Sequence, residues 1–298
     1  MEYIYAIAIL MALYVILATS FNFIIGYGGL ISIAHPVFYA LGAYSSALLA
    51  RDMGVPVFLA IPAGGLIALI ASVAVALPSL RISGDYLLIA SIGFQLGILE
   101  LIKNLPWTGG SGGLTNIPSF LTQTAGREAY VAFAVAAAIG SVLLLRWIAQ
   151  GPYGRAMSAM RDDELAFAAL GRNAMTMKIA IFALGSSLAG LAGGIYVHYF
   201  RFIAPGQFDI LQSSALLTMV VVGGLRSTWG PIVGAIALEA LPQAITFVNL
   251  PPSVLGPLQG ILFTSLVLIF MFVRPQGLIA ASERWHGRNE EVRDARRA

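Results

Sequence analysis

The chain has 298 residues, 58% of them hydrophobic and only 10% charged, with a formal net charge of +3. Soluble domains carry roughly 25% charged residues, so a water-soluble enzyme, a disordered protein and a nucleic-acid binder are all excluded. The lack of cysteine removes a disulfide framework, thiol catalysis and cysteine-ligated metal.

The fold class expected is an all-α polytopic membrane protein. A bilayer span takes about 20 mainly apolar residues. Hydropathy with Gly/Pro punctuation predicts about nine spans, within a range of 8–10, at 3–25, 29–50, 55–77, 86–104, 129–148, 178–200, 208–222, 229–249 and 254–273. The segments are twice too long for barrel strands and lack period-two alternation. No basic stretch precedes the first apolar run, so it reads as a retained span rather than a cleaved signal. Residues 1–281 are expected to form the transmembrane domain, with 105–128 as an external loop and 149–177 as a cytoplasmic one. The sign-alternating segment 282–298 reads as a cytoplasmic tail.

The cations set the orientation. With 149–177 inside, the inner side holds Arg81, Arg146, Arg155, Arg161, Arg172, Lys178, Arg226, Arg274 and five tail arginines. The outer side holds only Arg51, Lys103, Arg127 and Arg201. Thirteen against four is a positive-inside bias.

Two segments echo each other. Gly28-Gly29-Leu30-Ile31-Ser32 is followed by Pro36 and Ala40, and Gly223-Gly224-Leu225-Arg226-Ser227 by Pro231 and Ala235. Repeats with Gly/Pro-interrupted spans in matching positions point to a transport pathway. Glycine frees the backbone and proline removes a donor, so the helix can break where it lines a cavity. Gly28, Gly29, Ser32, Pro36, Gly223, Gly224, Ser227 and Pro231 are therefore candidate path residues, in a repeat that is parallel or inverted. Glu239 joins them as the one charge between Arg226 and Arg274, because an ionisable group at membrane depth is functional or paired. Glu100 and Lys103 are three apart and can neutralise each other. Gly190 and Gly194, with Gly185, Ala189 and Gly193, have the spacing of close helix packing.

Several chemistries are missing. Neither lysine, Lys103 nor Lys178, follows glycine, so the chain has no phosphate-binding loop and no ATP hydrolysis of its own. His35, His198 and His286 lack metal-ligand spacing. No catalytic constellation, resident metal or cofactor is expected, and the chain is not read as an enzyme. The run Gly109 to Gly113 reads as a flexible external loop.

The inner loop is the informative segment. Asp162, Asp163 and Glu164 favour a helix start through its dipole. Leu165, Ala168 and Ala169 follow as an apolar stripe, and Gly171 can end the helix. A single short amphipathic helix of this kind suits a groove on a soluble partner, and its three acids disfavour an anionic membrane surface.

The stretch 154–173 resembles the ATPase-coupling loop of permease subunits of bacterial ABC importers, specifically the branched-chain amino acid type (the LivM-like branch). Gly154, Arg155, Arg161, Asp163, Glu164, Ala168 and Gly171 carry that match. In chain order, the resemblance also includes Gly28-Gly29-Leu30 with Ser32, Phe38 to Tyr44, and Leu80 to Tyr86. It continues through Thr108 to Leu114, Gly223 to Pro231, and Arg274-Pro275-Gln276-Gly277-Leu278. It implies a pore-forming subunit in the bacterial cytoplasmic (inner) membrane. The partners would be a second homologous permease, two cytoplasmic ATPase subunits and an extracytoplasmic substrate-binding protein, with ATP driving alternating access. Branched-chain amino acids lead as substrate, with urea, short amides and aromatic acids as alternatives. An ion-coupled secondary carrier of small organic solutes is the competing class, and Glu239 would be its sole mid-span acid.

Overall fold

The computed structural model describes residues 2–79, 85–119, 126–246, 258, 260–261, 264–265 and 277–279. The expected motif at 80–84 with Arg81, nearly all of the span 254–273, Arg274 to Gln276 and the tail 282–298 with His286 lie outside the described residues, as does the part of the external loop at 120–125.

Among the described residues, ten α-helices appear in chain order. They are α1 (Glu2–Asn22), α2 (His35–Arg51), α3 (Val57–Ser79), α4 (Asp85–Asn104), α5 (Gly126–Gln150), α6 (Pro152–Asp162), α7 (Glu164–Ala169), α8 (Ala174–Phe200), α9 (Ile210–Gly223) and α10 (Gly230–Thr246). No strand forms among the described residues; Leu114 and Ile203 make an isolated antiparallel bridge. Among the described residues, five segments are long and apolar enough to cross a membrane: Glu2–Tyr27, Val57–Ser79, Tyr86–Asn104, Gly126–Gln150 and Ala174–Phe200. The protein is an all-α, multi-pass membrane protein.

The span expected at 29–50 is corrected at its start. α1 runs on as a π turn, Phe23–Tyr27, and the chain then leaves helical geometry until His35. The cause is local. Gly29 takes a left-handed φ of +68°, and Pro36 lacks a donor, so the helix restarts with proline in its first turn. The segment expected at 208–222 is a short helix of 14 residues, and that expected at 229–249 is helical over Gly230–Thr246 in its described part.

The heart of the molecule is α2, α3 and α8, packed backbone to backbone. A Cβ on Gly42 would run into the Gly190 backbone, and one on Gly193 into the Tyr39 carbonyl. Small residues permit this approach, and dispersion and helix contacts replace the hydrophobic drive that lipid cannot supply. This is the packing role expected for the glycines of α8.

The two ends differ in chemistry. At one end Arg127 pairs with Glu2, Tyr5 donates to Glu128 (2.8 Å), and Lys103 lies 3.5 Å from Glu100. There too the His198 ring, on α8, contacts the Pro118 carbonyl (2.7 Å) and the Ser46 hydroxyl (2.9 Å), while Arg201 donates to Ile117 (3.1 Å). These bonds stitch the glycine-rich loop to the far end of α8. The opposite end gathers α6, α7 and both glycine motifs.

Candidate functional site

The site begins where α1 ends. In the π turn the Gly28 and Gly29 amides bond back to Phe23 and Ile25 at 3.1 Å each. The Gly26 carbonyl accepts from the Arg161 guanidinium. The stem of Arg161 lies over Gly29, where any Cβ would meet it at 2.7 Å. Partial burial lowers the Arg161 pKa, nearby Arg226 adds to the effect, and Asp162 opposes it. The group stays charged, because an arginine starts far above neutrality.

Asn22 joins the two echoing motifs. It is only 2% exposed. Its Oδ1 accepts from the Arg226 amide (3.1 Å), and its Nδ2 donates to the Ser227 carbonyl (3.0 Å). Arg226 is held at a φ of +64°, which non-glycine residues seldom adopt. Beside it Gly224 sits at +118°, and a Cβ there would strike the Ile279 carbonyl. Leu278 and Ile279 donate to the Val222 and Gly223 carbonyls at 2.8 and 3.0 Å. The second motif is therefore pinned by residues from far along the chain.

Each motif does the same local work. Ser32 accepts from the Ala34 amide (3.4 Å) just before α2, and Ser227 from the Gly230 amide (3.1 Å) at the start of α10. Pro36 and Pro231 each stand second in the helix that follows. Helix, double glycine, a serine that accepts a nearby amide and an X-Pro restart recur, and Asn22 bonds across the two turns at one end. Both turns thus lie at the same end of the molecule. Gly28, Ser32, Pro36, Gly223, Gly224, Ser227 and Pro231 are buried in this packing, and Gly29 alone is exposed. Glu239 is not among them; it lies half-buried farther along α10.

The loop forms two helices, which corrects the expectation of one. α6 starts at Pro152, buries Gly154, Met157 and Met160, and leaves Arg155 exposed. At Asp163 the backbone is extended (φ −152°, ψ 102°), so the helix ends there. The Asp163 carboxylate then caps α7, accepting from Ala166 at 2.9 Å. Phe167 is buried and anchors α7. Leu165 (84% exposed) and Leu170 (79%) face outward with Ala168 and Ala169. Gly171, at a φ of +76°, ends the turn as expected.

Glu164 does not pair with Arg161, three residues before it. It bonds Lys178 at 2.7 Å, and the Lys178 side chain is only 10% exposed. Arg161 turns instead to Gly26, while Arg226 stands 3.9 Å from Asp162. Asn22, Gly26 and Lys178 were missed as site residues. For Lys178 the one available signal was a cation at the start of a long apolar helix. The expected loop residues and the glycine motifs thus meet at one end, which the left-handed joint at Gly29 and the extended joint at Asp163 make possible.

The family profile of the permease component of branched-chain amino acid transport systems matches residues 3–272. The chain belongs to this family. The high-affinity branched-chain amino acid transport system permease protein LivM of Escherichia coli is 29% identical over 92% of this chain and 69% of its own length. Its counterpart in Salmonella typhimurium is 28% identical over the same shares. A probable branched-chain amino acid transport permease LivM of Methanocaldococcus jannaschii is 27% identical over 68% of this chain and 62% of its own. No solved structure matches the chain. As a permease it belongs to a transport class rather than an enzyme class.

Proposed function

We propose that the chain is the pore-forming permease subunit of an ABC importer for branched-chain or related small amino acids in the bacterial cytoplasmic membrane. It pairs with a second homologous permease. Two cytoplasmic ATPases dock on the α6–α7 loop, and an extracytoplasmic binding protein delivers substrate. Residues 1–281 act as the permease domain and 282–298 as a cytoplasmic tail.

The observation that carries this reading is the outward apolar face of α7, wired through Arg161 to the broken end of α1. A soluble protein's groove can cover Leu165, Ala168 and Leu170, with Arg155 at the rim and Gly154 and Gly171 setting the loop's shape. The acids are internally answered: Asp163 by the α7 backbone and Glu164 by Lys178. Docking therefore buries little unpaired charge, which would otherwise be costly. Movement of the loop pulls on Gly26 and so on the unwound segment after Gly28 and Gly29. Through Asn22 the pull reaches Gly223, Gly224 and Ser227. Ser32, Pro36 and Pro231 keep the two following helices starting where they do as the path opens and closes, and Glu239 faces that path. Because the chain lacks a nucleotide site, the energy comes from ATP hydrolysed in trans.

Ala168→Trp tests the reading. Overpacking a groove costs about 1–3 kcal/mol, roughly 5- to 150-fold in association. The expected outcome in nanodiscs is an intact permease pair whose ATPase is no longer stimulated by the loaded binding protein. Wild-type stimulation and uptake by this variant would remove α7 as the coupling element.

A further inference from the structure

A cavity lies between α4 and the turn Pro205–Phe208 that leads into α9. Its volume is about 610 Å³, inside the roughly 300–1,000 Å³ of small-molecule sites. It sits at the end away from α6 and α7, beside the glycine-rich loop: a Cβ on Gly110 would come within 3.3 Å of the Lys103 carbonyl. Gly97, Glu100 and Lys103, three residues apart, share the face of α4 that lines it. Asp209 lines the opposite wall. The two walls are fastened together. The buried Gln95 amide donates to the Phe208 and Asp209 carbonyls (3.1 and 3.2 Å), and its oxygen accepts from the Ser213 hydroxyl (2.9 Å). Gly97 and Gly206 both line the space, and a Cβ on either would meet no atom within 4 Å.

The charges in the cavity are of both signs. Lys103 stands 3.5 Å from Glu100, and the two side chains are 41% and 66% exposed. An open pair of this kind is weak, so a ligand can compete for either member. Asp209 accepts from the Gln212 amide with one oxygen (3.1 Å) and has no cation partner among the described residues. One ammonium and two carboxylates thus share the cavity with Leu96, Leu99, Ile210 and Leu211. An aliphatic α-amino acid zwitterion matches that set. Its carboxylate answers Lys103, and its ammonium group, with three donors, answers Glu100 and Asp209. Its side chain covers apolar surface. Urea and neutral amides carry neither charge, and an acid without an amine would meet two like charges.

We propose that this cavity is the first resting site of the transported α-amino acid on the permease, with Lys103 taking its carboxylate and Glu100 and Asp209 its ammonium group. This deepens the permease reading and rests on it. It also separates zwitterionic amino acids from urea and neutral amides.

The test is equilibrium binding of radiolabelled L-leucine to the full complex in phosphatidylglycerol nanodiscs, without binding protein or nucleotide. ATP-driven leucine uptake by the same complex with its binding protein is measured in parallel. Unlabelled leucine should displace the label at least about tenfold more readily than L-leucinamide, which lacks the carboxylate, or isocaproate, which lacks the amine. Gly97→Leu fills the cavity and should weaken binding by about tenfold or more. Lys103→Gln and Asp209→Asn should each weaken it by roughly fivefold; asparagine keeps the cap on α9. In Lys103→Gln the gap between leucine and leucinamide should close, which a merely structural role would not produce. Wild-type binding by all three variants overturns the proposal, and so does leucinamide that displaces the label as well as leucine. Binding lost when phosphatidylethanolamine replaces phosphatidylglycerol would give the cavity to a lipid headgroup and overturn it too. A wild-type complex that imports leucine but does not bind it in this assay overturns the proposal and leaves the permease reading standing. A wild-type complex that does neither defeats both.

Discussion

The two glycine motifs share a sequence and a local design, yet they are held in different ways. The second is fixed by backbone on every side: Gly224 against Ile279, Gly223 against Gly230, and two amides from Leu278 and Ile279. The first opens into a non-helical segment, and what lies over Gly29 is one flexible arginine from the inner loop. One motif is walled in by backbone, and the other is covered by a single side chain from the inner loop. Two echoing sequences are thus held in unequal ways.

The sharpest way to break this comparison is to add the same methyl group to each. Gly224→Ala forces a Cβ into a carbonyl at a backbone angle nearly closed to other residues. Strain and clash together should cost about 3 kcal/mol or more, read as a lower Tm of the detergent-solubilised complex. Gly29→Ala meets only the movable stem of Arg161 and a milder left-handed strain of about 1 kcal/mol, so its Tm should shift far less. Equal losses would erase the distinction. Next in size is Asn22→Leu, which strands the Arg226 amide and the Ser227 carbonyl. A buried group left unpaired costs about 1–3 kcal/mol. Binding-protein-stimulated ATPase should also fall in this variant, since the two motifs lose their bridge. The smallest effect belongs to Lys178→Met. Its partner Glu164 is about half open to solvent, and exposed pairs contribute roughly 0–1 kcal/mol. Its Tm should barely move, and a large drop would place Glu164 inside the mechanism rather than at its edge.

Much of this was readable from the chain. Long uncharged runs set the fold class, and the spread of Lys and Arg sorted the ends before any helix was placed. The echo around Gly28 and Gly223 marked two turns that do meet. What could not be read is where helices stop. Residues 29–34 are apolar enough to belong to a span, and the unwound form is held by tertiary contacts at Gly29, beside Arg161, and at Ile33, whose amide donates to Ser91 (2.9 Å). Asp162 and Asp163 are equally good helix starters in isolation. Choosing Asp163 as the cap needs Phe167 to be buried, which is a matter of neighbours. The pairing of Glu164 with Lys178, and the reach of Arg161 to Gly26, depend on that same break. The coupling role proposed for the loop came from the resemblance to permeases, which no spacing rule could have provided.

One further consequence follows from α8. It runs unbroken for 27 residues, about 40 Å at the usual rise. Its first turns hold Lys178 against Glu164, and its last hold His198 and Arg201 against Pro118 and Ile117. Both surfaces of the molecule are fastened to a single stiff rod. Tilting a rod of that length by about 5° sweeps its tip through roughly 3–4 Å, more than the length of a hydrogen bond. A small push on one face would then be felt on the other as a change in which bonds can form, with no relay of side chains in between.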